Sequence, residues 1–210
     1  MKGWTLLLLA CLAACGDSST GPGHAAGKEF SFDDPVGDTA LVVGGADSDA
    51  ALDVRRVSGV VSGDSLTLTL EFVDPIVRAS TIEPNSLIAA IAIDADDDST
   101  TGVALDEGSG SDSSFTAPFP AQTGMGAEYY VFLDAISEGN ADVTYSLFID
   151  QTLASYPVTY TEKSATMQLP LSIFGIRAGA RFRVMGTVGN TQRITDIVPD
   201  SGSYLLGGSS

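Results

Sequence analysis

Asp94, Asp96 and Asp98 stand at alternate positions of the stretch Asp94-Ala-Asp96-Asp-Asp98-Ser-Thr-Thr101-Gly102. Carboxylates spaced this way in a tight loop can point at one centre, and a calcium ion takes about six to eight oxygens. Three negative charges held so close repel one another unless a cation sits among them. The stretch is not an EF-hand, because its twelfth position is Leu105 rather than Glu and no helical pattern flanks it. Further oxygens have to come from carbonyls near Thr100 and Thr101 or from a distant segment. The residues therefore read as a calcium site at Asp94, Asp96, Asp98 and Thr101. A solvated acidic turn is the other reading they allow.

A second acidic group, Asp33, Asp34, Asp38, Asp47, Asp49 and Asp53, is spaced more loosely and reads as solvated surface. Asp196 and Asp200 bracket Pro199 and are placed to close a loop over either group. The sequence does not choose between them.

Catalytic chemistry finds little to work with. The only histidine is His24, in a Gly- and Ser-rich segment near the N-terminus, so the region beyond it can build no Ser-His-Asp or Cys-His arrangement. The same shortage argues against zinc. Cys11 and Cys15 are the only thiols, and both lie near the N-terminus. A glycoside hydrolase needs only a pair of carboxylates, but no pair is singled out by an apolar setting that would raise one pKa. The chain reads as a non-enzyme, with glycoside hydrolysis a distant alternative. Its net charge of −17 repels nucleic acid and anionic lipid headgroups and attracts cations.

The N-terminus carries an address. Met1-Lys2 is a short positive start, and Thr5 to Leu12 is an apolar run. A permanent membrane helix needs about 20 apolar residues, so this run reads as the core of a signal peptide spanning 1–14. Leu12-Ala13-Ala14-Cys15 resembles the bacterial lipobox at all four positions. The resemblance implies cleavage before Cys15 and a lipidated Cys15 carrying acyl chains such as palmitate. More than one chain gives lasting attachment, at about 0.8 kcal/mol per buried methylene. Gly16 stands where inner-membrane retention signals resemble Asp, which implies an outer-membrane destination. Residues 15–28 form the lipidated Cys and a flexible tether, rich in Gly, Ser, Pro and Ala. Fully extended, the tether reaches at most about 45 Å.

From Glu29 the pattern is that of strands. Leu66, Leu68, Leu70 and Phe72 alternate without error, as do Val143, Tyr145, Leu147 and Ile149, and Ala165, Met167 and Leu169. Phe182, Val184 and Val188 follow less regularly. Leu87 to Ile93 is apolar on both faces, like a strand covered from both sides, and Tyr129 to Leu133 is similar. Val61-Ser-Gly-Asp64, Ser137-Glu-Gly-Asn140 and Val188-Gly-Asn190 read as turns. The only helical candidate is one turn over Pro170 to Gly175. Residues 29–206 therefore read as an all-β, antiparallel β-sandwich of jelly-roll type, with 207–210 a disordered tail.

Short pieces in order carry a resemblance across roughly Glu29 to Tyr204: Asp34-Pro-Val-Gly-Asp38, Leu52-Asp53-Val54, Ile93 to Gly102, Gly126-Ala-Glu128-Tyr129-Tyr, Leu169-Pro170-Leu171, and Asp196-Ile-Val-Pro-Asp200. Together they resemble the extracellular sandwiches related to family-nine carbohydrate-binding modules and to DOMON domains. The resemblance implies sugar binding as one role, usually on aromatic platforms led by Trp. Trp4 leaves with the signal peptide, so only tyrosines remain for that role. Some DOMON relatives use a His-ligated haem, which the region beyond His24 has no histidine to hold. The expectation is a membrane-anchored, calcium-carrying binding or adhesion module whose partner is a glycan or a surface protein, with glycan capture the alternative.

Overall fold

The computed structural model describes residues 27–38, 52–76, 87–104, 124–134, 139–145, 152–190 and 193–208. The signal peptide, Cys15, nearly all of the tether, Asp47, Asp49, Leu105, Leu147 and Ile149 lie outside these residues. Ten strands pair in one antiparallel run. It begins with β1 (Lys28–Asp33), β2 (Val54–Ser62) and β3 (Ser65–Phe72), then passes to β10 (Ser164–Pro170) and β9 (Thr152–Tyr160). It continues through β8 (Asn140–Thr144), β7 (Tyr129–Asp134), β4 (Ile88–Asp94), β11 (Arg181–Asn190) and β12 (Arg193–Val198). β13 (Tyr204–Gly207) also pairs with β11, and β5 (Val103–Ala104) with β6 (Gly126–Ala127) makes a small separate ribbon.

The sheet curls until its ends meet. Thr195 on β12 donates its hydroxyl to the Leu52 carbonyl at 2.7 Å, and the Val54 N–H donates to Asp196 Oδ2 at 2.6 Å. The result is an all-β, sandwich-like fold around one main core.

Local sequence explains the principal elements. β3 alternates polar and apolar residues, and Leu66, Leu68, Leu70 and Phe72 are all buried. Each such side chain contributes about 1.5–3 kcal/mol by leaving water. Ala165, Met167 and Leu169 of β10 pair with Leu70, Leu68 and Leu66 and extend that apolar face. Gly63 takes φ 59 at the first central position of the two-residue turn between β2 and β3, a conformation that favours glycine. The expected helical turn is a 3-10 turn at Leu171–Phe174, closed by Gly175 at φ 68.

β4 is the central strand that its composition implies, between β7 and β11. Ala89, Ile91 and Ile93 face the main core, while Ala90 and Ala92 pack with Tyr130, Phe132, Met185 and Ile197 on the other face. Three details differ from the sequence pattern. Val188-Gly-Asn190 does not turn but runs on as the end of β11, where Gly189 pairs with Ile88 and Ile194 beside a register shift. Tyr145 is 55% exposed rather than in line with buried Val143, because β8 ends at Thr144 after a register shift that reverses the alternation. The sheet also takes in Lys28, from the tether, and Gly207, from the tail, whose carbonyl accepts the Lys28 Nζ at 2.9 Å.

Candidate functional site

Strand register sets the site. β4 and β7 pair with Ile93 opposite Tyr129, so the next residue of one chain segment, Asp94, and the preceding residue of the other, Glu128, fall at the same end of the sheet. The Glu128 N–H donates to the Ile93 carbonyl at 3.1 Å, and the Ala95 N–H donates to Glu128 Oε2 at 2.8 Å. The ribbon of β5 and β6 holds the loop from its other side. A Cβ at Gly126 would lie 1.8 Å from the Thr101 carbonyl oxygen, so the loop can pass only over a glycine. Gly102, at φ 64, makes the reciprocal approach to Ala127.

Asp94 is wholly buried. Its carboxylate accepts the N–H groups of Asp98 at 3.3 Å and Gly126 at 3.4 Å. Burial raises its pKa above the ordinary aspartate value; those N–H groups act the other way, and the charge of Glu128 adds to the rise. Asp96 Oδ1 accepts the Asp98 N–H at 3.1 Å. Carboxylate oxygens of Asp94, Asp96 and Glu128 all lie within 4.8 Å of one another.

Asp98 is not one of the three. Its Oδ1 accepts the Thr100 hydroxyl at 2.7 Å and the Thr100 N–H at 2.9 Å, and these bonds lower its pKa. The Asp98 side chain caps its own turn, while its backbone carbonyl lies 2.9 Å from the Thr101 hydroxyl. That hydroxyl sits at the middle of the site. It is also 3.0 and 3.2 Å from the two oxygens of Asp96 and 2.8 Å from Glu128 Oε1. One hydroxyl has one proton to donate, and four oxygens surround it. Asp97, at φ 59, anchors the loop to β11 through Arg181 at 3.0 Å and through Arg183.

No family model, curated protein or solved structure matches the chain. The site therefore has to be read from its own chemistry. Two carboxylates of the acidic loop, a third from the neighbouring strand, the Asp98 carbonyl and the Thr101 hydroxyl make an all-oxygen donor set, of the kind hard cations such as calcium take.

Of the residues expected from sequence, Asp94, Asp96 and Thr101 converge and the Asp98 carboxylate does not. Glu128 is the addition. Nothing local marks it as a ligand, because its place depends on the pairing of β4 with β7. Its one signal is its position within Gly126-Ala-Glu128-Tyr129-Tyr. In the looser acidic group, Asp33 pairs with Arg56 at 2.7 Å on the surface. Asp34 and Asp53, expected to be solvated, are buried instead, beneath the returning strand β12.

Proposed function

We propose that this chain is a lipid-anchored, calcium-binding β-sandwich that acts by binding a partner rather than by catalysis. The observation that carries the reading is the meeting of Asp94, Asp96 and Glu128 carboxylate oxygens, from two chain segments, within 4.8 Å of one another, with the Thr101 hydroxyl shared between Asp96 and Glu128. A cation at that point relieves the repulsion among three carboxylates and satisfies oxygens that one hydroxyl cannot serve. A groove lined by Ala95, Asp96, Asp97, Gly175, Arg177 and Arg181 borders the loop, so an ion there braces one wall of a surface open to a partner. The lipobox supplies the anchor at Cys15, and the tether holds the domain off the outer membrane. Calorimetric titration of the full chain, purified in detergent and stripped with EGTA, tests the metal. Calcium binds with a Kd of about 10⁻⁴–10⁻³ M and magnesium more weakly. Absence of any calcium heat contradicts the reading.

One observation favours glycan capture as the form of that binding. The exposed ring of Tyr145 lies 5.2 Å from Tyr129, which meets Phe174 edge-on at 5.4 Å. A sugar ring can stack on such a braced tyrosine. A glycan array probed with the parent and with Tyr145→Ala tests it: signals that the variant loses support glycan capture, and a blank array leaves a surface protein as the partner class.

A further inference from the structure

Asp34, in the segment after β1, Asp38, in the turn that follows, and Asp196, on β12, bring carboxylate oxygens within 4.8 Å of one another. This group is separate from the site at Asp94. Asp94 lies opposite Arg183 on β11 and Asp196 opposite Val188, about 17 Å apart along the strand at roughly 3.4 Å per residue. Asp53, just before β2, adjoins the group through its Oδ2, which accepts the Gly37 N–H at 2.8 Å. Asp200 stands beside Asp38; burial first, then a hydrogen bond with Asp38 and its charge, raise the Asp200 pKa.

The oxygens divide into two sets. Both oxygens of Asp196 are served by backbone, from Val54 at 2.6 Å and Ile197 at 2.7 Å. Asp34 Oδ2 and Asp53 Oδ1 are buried and have no hydrogen-bond partner among the described residues, and the oxygens of Asp38 are buried beside the carboxyl of Asp200. Asp34 and Asp53 are only 6% and 5% exposed, so water does not serve them freely either. An unpaired buried charge is among the most costly things a fold can hold. The nearby arginines are engaged elsewhere, Arg56 with Asp33 and Arg55 with Glu71. Burial first, then the charges of Asp196, Asp200, Asp38 and Asp53, push Asp34 up to about 8, and burial pushes Asp196 up to about 7. All four of the charges that raise Asp34 are carboxylates.

We propose that Asp34, Asp38, Asp53 and Asp196 form a second calcium site, closed from outside by Asp200. The donors are all oxygen and mostly carboxylate, which selects a hard cation, and their irregular arrangement suits calcium better than the strict octahedron of magnesium. The ion cross-links chain segments distant in sequence, since Val54 and Asp196 are 142 residues apart. It fastens the segment just after β1, the strand that receives the tether, to the last strand of the curled sheet. Its role is to lock the two ends of the sheet together, at the end of β1 opposite to the one the tether enters.

The test uses the full chain in detergent, stripped with EGTA and titrated calorimetrically with calcium chloride. Two ions bind per chain; Glu128→Gln removes one and Asp34→Asn the other. Asp38→Asn, at a half-buried position where folding is least at risk, weakens that same ion by about tenfold or more. In calcium-free buffer at neutral pH Asp34→Asn melts above the parent, because the parent must take up a proton to bury its carboxyl and the amide need not, and its melting temperature responds less to added calcium. Folded Asp34→Asn and Asp38→Asn chains that bind calcium with the parent's stoichiometry and affinity overturn the proposal, as does a parent that binds none. A chain whose single ion is lost with Asp34→Asn and kept with Glu128→Gln retains this site and discards the one at Asp94.

Discussion

The hydroxyl of Thr101 lies 2.8 Å from Oε1 of Glu128, joining the acidic loop after β4 to the segment that leads into β7. Glu128 is thereby held against Asp94 and Asp96 by strand register, by this contact and by the Ala95 N–H that donates to its Oε2. Asp98, despite its favourable spacing, spends its carboxylate on Thr100.

That arrangement separates two substitutions the sequence alone would rank the other way. Glu128→Gln should weaken calcium binding by about tenfold or more, since it removes one of three converging charges. Asp98→Asn should change the affinity by less than about threefold. Calorimetry on both variants checks the order, and a larger effect at Asp98 would restore the alternating-aspartate reading.

Leu68 is buried mid-strand in β3, with its side chain in the main core. Leu68→Ala should cost about 2–5 kcal/mol through the cavity it leaves. Thr67→Ser, on the opposite face, should cost well under half as much. Urea unfolding measures both, and equal losses would mean that the faces are reversed.

Tyr130 is wholly buried, and its hydroxyl has no hydrogen-bond partner among the described residues. Removing a stranded polar group while keeping the ring should help. Tyr130→Phe is expected to leave stability unchanged or raise it by up to about 1 kcal/mol. A clear loss in the urea midpoint would reveal a partner for the hydroxyl.

The anchor is tested by Cys15→Ser. Without acyl chains the protein should move from the detergent-soluble membrane fraction to the soluble extracytoplasmic fraction. Membrane retention of the correctly processed variant would contradict lipid anchoring.

Much of the fold was legible because its pattern is local. Alternation in β3 and β10 named the buried face, and the doubly apolar run of β4 named a central strand, since period and composition report burial directly. β9 was missed: its burial alternates only between exposed and half-buried, and it carries Pro157. The site was half legible for the same reason. Asp94 and Asp96 share one short loop, whereas Glu128 joins them only through the β4–β7 register. The buried acids lie further from sequence reasoning still. Asp34 and Asp53 look like surface residues until β12 folds back and covers them, and only then do Asp196 and Asp200 have a group to close upon.

The most direct test is the melting temperature of the full chain in calcium and in chelator. A site with a Kd of about 10⁻⁴ M in roughly 2 mM free calcium adds about 1.8 kcal/mol by linkage. For a chain of this size that corresponds to a rise of about 4–7 °C per site, reversed by EGTA and smaller with magnesium. A melting temperature indifferent to both calcium and EGTA would contradict the account and leave the carboxylates of Asp94, Asp96 and Glu128 as an acidic turn.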